Sequence, residues 1–403
     1  MKKILNAGNW YLLLTLCLLW SCDFHPDDEV PEPDQDEYFV SATSIGTFPK
    51  EALVALALSS EEYRDFAPVV QYDVAFYRIV YKTTYKGKEI EASGLLAVPQ
   101  NTPAVPALLS AQHGTMFKQS DAPSNFPATF SGFELFGAAG FVAVVPDLIG
   151  YGESSEIFHP YYDEEHSARA VVDMLKATDY YLQQEDIKTN GNLFLVGYSE
   201  GGYVTLAAQK ELEAHPEQGL APTAVAAGAG GYDLSGMLNM IATTPSYADP
   251  AFLAFIIQSY NTTYNWNRPL TDFFQEPYAT RIPSLFNGTK IREEINSELV
   301  NEPSALFSPA FYAALQSPTG EPELKQALAA NSLLDWVPEA PTRLYHGTAD
   351  EAVFFQTSES TYQSFLAKGA TNVTFIPIPG GMHRTSITPM MLDVLPWLNT
   401  FNQ

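Results

Sequence analysis

Cysteine is almost missing from this chain: there are two in 403 residues, Cys17 and Cys22. Both fall near the start, so neither a disulfide framework nor a cysteine metal site is expected to organise the body of the protein. Basic residues are scarce as well, 21 against 47 acids, and the formal net charge of −26 is spread along the chain. No basic patch interrupts it, which argues against nucleic acid and anionic membrane surfaces as ligands. The apolar run from Trp10 to Trp20 is too short to span a bilayer, and no internal repeat points to a solenoid or propeller. What is plentiful is apolar matter, 46% hydrophobic and 13% aromatic residues, as in a well-cored globular protein. The length suits one large α/β domain with an insertion, or two domains.

The first residues have the pattern of a targeting segment: Lys2 and Lys3, then the apolar stretch to Trp20. It closes on Leu19-Trp20-Ser21-Cys22, which resembles the lipobox of bacterial lipoproteins, although Trp20 is bulkier than usual there. Residues 1–21 are then a signal peptide and Cys22 the lipidated residue; an ordinary signal peptide cut nearby is the alternative. Cleavage would remove Cys17 and two lysines, moving the charge from −26 to −28. Residues 22–40 are expected to be a solvated tether, since Asp23 to Glu37 holds eight acids and three prolines. An acidic run behind a lipidated cysteine is similar to the surface-export signals of Bacteroidetes lipoproteins, a plain spacer being the other reading. The expectation is an outer-membrane lipoprotein facing outward, in touch with the membrane only through its anchor.

From Tyr72 the pattern is β: alternation to Tyr85, a turn at Lys86-Gly87-Lys88, and alternation again from Glu89 to Pro99. Ala107 to Gln112 is a short apolar strand ending in His113-Gly114, and residues 133–139 form a helix. Gly140 to Asp147 reads as a strand buried on both faces, followed by a loop through Gly150, Gly152 and Ser154. A helix follows over 163–184. Next comes Asn192-Leu-Phe-Leu-Val-Gly-Tyr-Ser199-Glu-Gly-Gly202: an apolar strand, a very tight turn with a serine at its apex, and a helix. Gly197 and Gly201 are small where strand and helix meet, and Gly202 lets the helix approach the sheet. After the strand at 223–231 the regular pattern stops. Residues 232–341 are aromatic-rich and divided by prolines, with helical patches. Alternation returns at 342–350, a helix near 357–368, a strand at 373–379 and a closing helix. Strands alternating with helices specify a mostly parallel twisted sheet covered by helices. This divides the chain into 41–231 and 342–403 as an α/β core, with 232–341 as a helical cap inserted after the sixth strand.

A serine held at such a turn becomes a nucleophile when a histidine takes its proton and an acid fixes that histidine. Three histidines follow Ser199. His215 is too far along the helix, His346 lies in a strand where it packs, and His383 follows the last strand in a glycine loop that would bring it over Ser199. The acid is Asp350 at the end of the strand after the insertion, with Asp233 after the sixth strand as rival. Asp147 and Ser154 fall where residues brace loops. The oxyanion needs two N–H donors, expected from the backbone of Glu200 and of Thr115, with Met116 the alternative to Thr115. The Glu200 side chain itself is read as solvated.

Together these motifs resemble the α/β-hydrolase superfamily over roughly residues 65–403. The elbow Gly-Tyr-Ser-Glu-Gly-Gly, the strand Ala-Ser-Gly-Leu-Leu-Ala-Val-Pro and Gly-Gly-Tyr-Asp-Leu opening the cap look like the secretory lipase family and its bacterial relatives. The resemblance implies hydrolysis of carboxylic esters through an acyl-serine, with no cofactor and no metal, on a small-molecule or glycan-borne ester. Short to medium acyl chains are expected. A lipase for long-chain acylglycerols is one alternative. A serine peptidase of the same fold is another, with Glu293 and Glu294 as the acids that would hold a free amino terminus. A surface-displayed binding lipoprotein is the non-enzymatic reading.

Overall fold

The computed structural model describes residues 37–402. The expected signal peptide, the lipidated Cys22 and most of the tether lie outside the described residues. Nine strands form one sheet: β1 (Phe39–Phe48), β2 (Val74–Tyr85), β3 (Lys88–Pro99), β4 (Leu108–Gln112), β5 (Val142–Pro146), β6 (Leu193–Tyr198), β7 (Pro222–Gly228), β8 (Thr342–Gly347) and β9 (Val373–Ile378). Their order is β1-β2-β3-β5-β4-β6-β7-β8-β9. The β1–β2 and β2–β3 pairs and the β3–β5 junction are antiparallel, and the remaining neighbours are parallel.

Helices cover both faces because the central strands β4, β5 and β6 are buried at every position. Within β6, Leu193 and Leu195 join one core while Phe194, Val196 and Tyr198 join the other. The first core is built with α3 (Glu164–Gln184) and α4 (Glu200–Ala214). The second is built with α1 (Lys50–Ser59), α2 (Leu135–Ala138) and the closing helix at Ile387–Asn399.

Two boundaries differ from the sequence reading. β1 begins at Phe39, so the tether stops short of residue 40. Because this strand was not expected, the insertion follows the seventh strand instead of the sixth. The stretch Ser41-Ala-Thr-Ser-Ile-Gly-Thr47 is half polar, and it is a strand through edge pairing with β2, with two register shifts, more than through apolar alternation. The helix expected over 133–139 is shorter, reduced to α2.

The insertion is helical: α5 (Leu234–Ile241), α6 (Pro250–Thr263), α7 (Leu270–Phe273), α8 (Tyr278–Leu285), α9 (Arg292–Asn296), α10 (Pro303–Leu306), α11 (Pro309–Gln316) and α12 (Pro322–Ala330). Prolines open α6, α10, α11 and α12, where a missing N–H costs nothing, and so cut the cap into short pieces. The cap shares one continuous apolar core with the sheet's first face. Polar bolts add to it. Tyr260 donates to Tyr162 O (2.9 Å), Tyr203 to Asn331 O (2.8 Å), and the Ser259 hydroxyl donates to His159 O while accepting from the Tyr161 amide, both at 2.8 Å. Two further helices complete the order, α13 (Phe355–Ala367) and α14, the closing helix. Among the described residues no helix is long and apolar enough to cross a membrane.

The strand order fixes where a site can form. From β4 the chain moves outward to β5 on one side, and from β6 it moves to β7 on the other. The loops leaving β4 and β6 diverge and open a crevice at the carboxyl ends of these strands.

Candidate active site

Ser199 stands at that crevice, between β6 and α4, with φ 61° and ψ −127°. A non-glycine residue holds this conformation only where its surroundings enforce it. Here they do: a Cβ on Gly197 would lie 2.2 Å from Gly201 O, and one on Gly201 1.9 Å from Gln112 O. On Gly202 it would lie 2.3 Å from Gly228 O. The three glycines are required by close backbone approach, as the sequence suggested.

His383 comes from the loop after β9. Its Nε2 lies 2.8 Å from Ser199 Oγ and its Nδ1 2.7 Å from Asp350 Oδ2. Nδ1 donates to the carboxylate, which leaves Nε2 free to accept the serine proton. Asp350, just after β8, is anchored by the amides of Ala352 (3.0 Å) and Val353 (2.9 Å) on its other oxygen. Burial opposes its ionisation, yet hydrogen bonds from His346 and His383 outweigh burial and hold the carboxyl down at about 2. His346, fully buried, thus does more than pack. Its Nε2 is 2.8 Å from Val353 O, an acceptor, so it carries the proton and also faces Asp350 Oδ2 at 3.3 Å. Its Nδ1 accepts from the Ser358 hydroxyl (2.7 Å).

The structure brings Ser199, His383 and Asp350 together and leaves the rivals elsewhere. Asp233 caps α5, accepting from Gly236 N (2.7 Å) and the Ser360 hydroxyl (2.8 Å). His215 pairs with Glu217 at the surface. Asp147 braces its loop through Ser93 (2.6 Å) and the Ser124 amide (2.8 Å), and Ser154 accepts from Gly150 N (2.9 Å). Glu294 accepts from the Ile291 amide and Glu293 pairs with Arg292, so both acids are already committed within the cap.

Glu200 is the first residue of α4, where a helix leaves amides without intrahelical partners. Its carboxylate is not solvated as expected: the residue is 1% exposed and Oε1 lies 2.5 Å from His159 Nε2. Nothing in the sequence around His159 signals this, because the pairing spans 41 residues and is made only by the fold. Thr115 follows Gly114, whose Cβ, if it had one, would touch Ser199 Cβ at 3.5 Å, so this loop runs directly against the serine. The Thr115 hydroxyl is 2.9 Å from that of Tyr161, which burial keeps well above the ordinary phenol range. The Met116 carbonyl accepts from the Tyr151 hydroxyl.

A cavity with an empty volume of about 450 Å³, counted out to its mouth, opens at Ser199. Its walls are apolar: Met237 and Ile241 from α5, Phe252 and Ile256 from α6, Tyr161 from the core and Val353 beside the acid. Of the cap aromatics, Tyr247 and Phe252 line this cavity, whereas Tyr260, Phe273 and Phe274 are fully buried away from it.

The sheet, the serine elbow and the cap over an apolar cavity define an α/β-hydrolase of the esterase and lipase type. The chain belongs to the secretory lipase family, whose family model matches residues 135–401. Among solved structures it is similar to a Legionella pneumophila protein described as a hydrolase, at 28% identity and a TM-score of 0.84, covering 91% of this chain and 99% of that one. It is also similar to the rice cell wall degrading esterase LipA from Xanthomonas oryzae, at 25% identity and a TM-score of 0.77, covering 91% and 97%. Candida antarctica lipase A in its closed state shares the fold at 14% identity and a TM-score of 0.66, covering 90% and 81%. No curated protein matches the sequence significantly.

Proposed function

We propose that this carboxylic ester hydrolase acts through an acyl-serine on Ser199, with His383 as base and Asp350 as its orienting acid, on soluble esters with short to medium acyl chains. The observation that carries the mechanism is the hydrogen-bonded series Ser199–His383–Asp350, at 2.8 and 2.7 Å. In it His383 takes the serine proton as Oγ attacks the ester carbon, then returns it to the leaving alcohol. The oxyanion is received by the amides of Glu200 and Thr115, Met116 being the neighbouring alternative to Thr115. Water then repeats the sequence and frees the acid. The narrow apolar cavity and the bolted cap support a bounded acyl pocket, and the acidic surface disfavours adsorption to anionic lipid. The resemblance to a cell wall degrading esterase favours a small or glycan-borne alcohol over a triacylglycerol droplet. A peptidase reading loses its acids, since Glu293 and Glu294 are engaged.

A serine-directed fluorophosphonate should label the protein and not its Ser199→Ala variant. Absence of labelling would return the molecule to the binding-lipoprotein reading. Turnover of aminoacyl arylamides without turnover of aryl esters would make it a peptidase.

The enzyme is further proposed to be lipidated at Cys22 and displayed outward on the outer membrane. The support is Leu19-Trp-Ser-Cys22 and the acid run behind it. Cys22→Ala should release it from membranes, and protease treatment of intact cells reads the orientation.

A further inference from the structure

Both ring nitrogens of His159 face oxygens. Nδ1 lies 2.6 Å from the Ile149 carbonyl and Nε2 lies 2.5 Å from Glu200 Oε1. A carbonyl only accepts, so Nδ1 carries a proton. A neutral imidazole would then turn its bare Nε2 lone pair toward a carboxylate, and the two would repel. The contact is attractive only if the pair holds one proton more than a neutral imidazole and a free carboxylate together. That proton sits on Nε2 or on the carboxyl, and in both cases the pair's net charge is zero instead of −1.

The surroundings require this count. His159 is 6% exposed and Glu200 1%, and the second carboxyl oxygen, Oε2, is buried with no partner among the described residues. A bare charge there would be costly. The rings against the imidazole are Tyr151 and Tyr161 from the core and Phe255 from α6. The two tyrosines are the titratable groups among them, and burial keeps both hydroxyls neutral. The cap also grips this loop, through Ser259 on His159 O.

We propose that His159 is a positioning residue for hydrolysis at Ser199: it keeps the Glu200 pair protonated, so that the residue whose amide receives the oxyanion does not also place a negative charge beside it. The inference rests on the proposed acyl-serine reaction. Ser199 and Glu200 are adjacent, with Cα atoms about 3.8 Å apart. A second negative charge on the residue next to the nucleophile, in a largely buried site, opposes the charge developing on the ester oxygen.

The test compares wild type, His159→Gln and His159→Gln/Glu200→Gln, with active sites titrated and folding checked by thermal melting. In His159→Gln the Glu200 carboxyl loses the ring it shares a proton with. The kcat of this variant should fall about tenfold or more relative to wild type, with KM little changed. The double variant removes the ionisable group and should lose that fall. The rate of fluorophosphonate labelling is measured alongside, because it builds charge at the same position without an ester. A His159→Gln kcat equal to that of wild type, or a fall that persists in the double variant, overturns the proposal. If the wild type labels but cleaves no ester, the functional reading fails while labelling still decides the role of the pair. Should His159→Gln not fold, His159→Phe, which keeps a ring on Phe255, is compared with His159→Phe/Glu200→Gln in the same way.

Discussion

The hydroxyl of Tyr198 donates to the main-chain carbonyl of His383 at 2.6 Å. The residue just before Ser199 therefore holds the loop that carries His383, across 185 positions of sequence. The two rings also lie 5.4 Å apart, centroid to centroid, so the imidazole is fixed from its backbone and from one face. Tyr198→Phe keeps the ring and removes the tether. Its expected effect is a fall in kcat of about 5- to 30-fold with KM within about twofold, because the base is displaced while the acyl cavity is untouched. Steady-state kinetics with titrated active sites checks it.

The assignment of the acid is tested by a pair of substitutions. Asp350→Asn should lower kcat about a thousandfold or more, since the amide can no longer hold His383 in the tautomer that accepts from Ser199. Asp233→Ala should leave kcat unchanged and cost about 1 kcal/mol of stability, the usual loss of a helix N-cap. The reverse ranking would move the acid to Asp233.

Asp350 also ties stability to pH. Its carboxyl is held at about 2 in the fold against an ordinary 3.8. A depressed acid contributes stability that is complete above its unfolded value and is lost as pH falls through its folded one. The contribution is about 2 kcal/mol above about pH 4, and it fades toward pH 2. Urea unfolding should show the gap between wild type and Asp350→Asn wide at about pH 6 and narrowing by about that amount near pH 2.

The proposed acyl preference rests on a wall that can be moved. Each methylene that fits adds about 0.8 kcal/mol until the cavity is full. A nitrophenyl ester series should therefore peak below palmitate, with no jump in rate at the micelle limit. Ile241→Trp, filling the α5 side of the cavity, should lower the octanoate-to-acetate ratio of kcat/KM about tenfold or more.

The sequence carried the parts of this molecule whose chemistry is local. The elbow is readable because Gly197, Gly201 and Gly202 flank the serine at fixed spacing, and His383 and Asp350 because each lies in the loop after a strand. Parts decided by distant neighbours were not readable. β1 is held by its edge pairing with β2, and its half-polar residues give little alternation to see. His346 was placed correctly as a packed histidine, but its hydrogen bond to the acid depends on how the turn after β8 folds back. Glu200 reads as solvated because a carboxylate in the first turn of a helix is usually at the surface, and its contact with His159 is made by the fold alone.

The position of the cap between β7 and β8 has a consequence for how the enzyme comes into being. Synthesis delivers the elbow first, then the whole cap, and only afterwards the two strands that precede Asp350 and His383; His383 follows Ser199 by 184 residues. On the proposed mechanism, a chain still leaving the ribosome carries Ser199 before either residue proposed to activate it has been made.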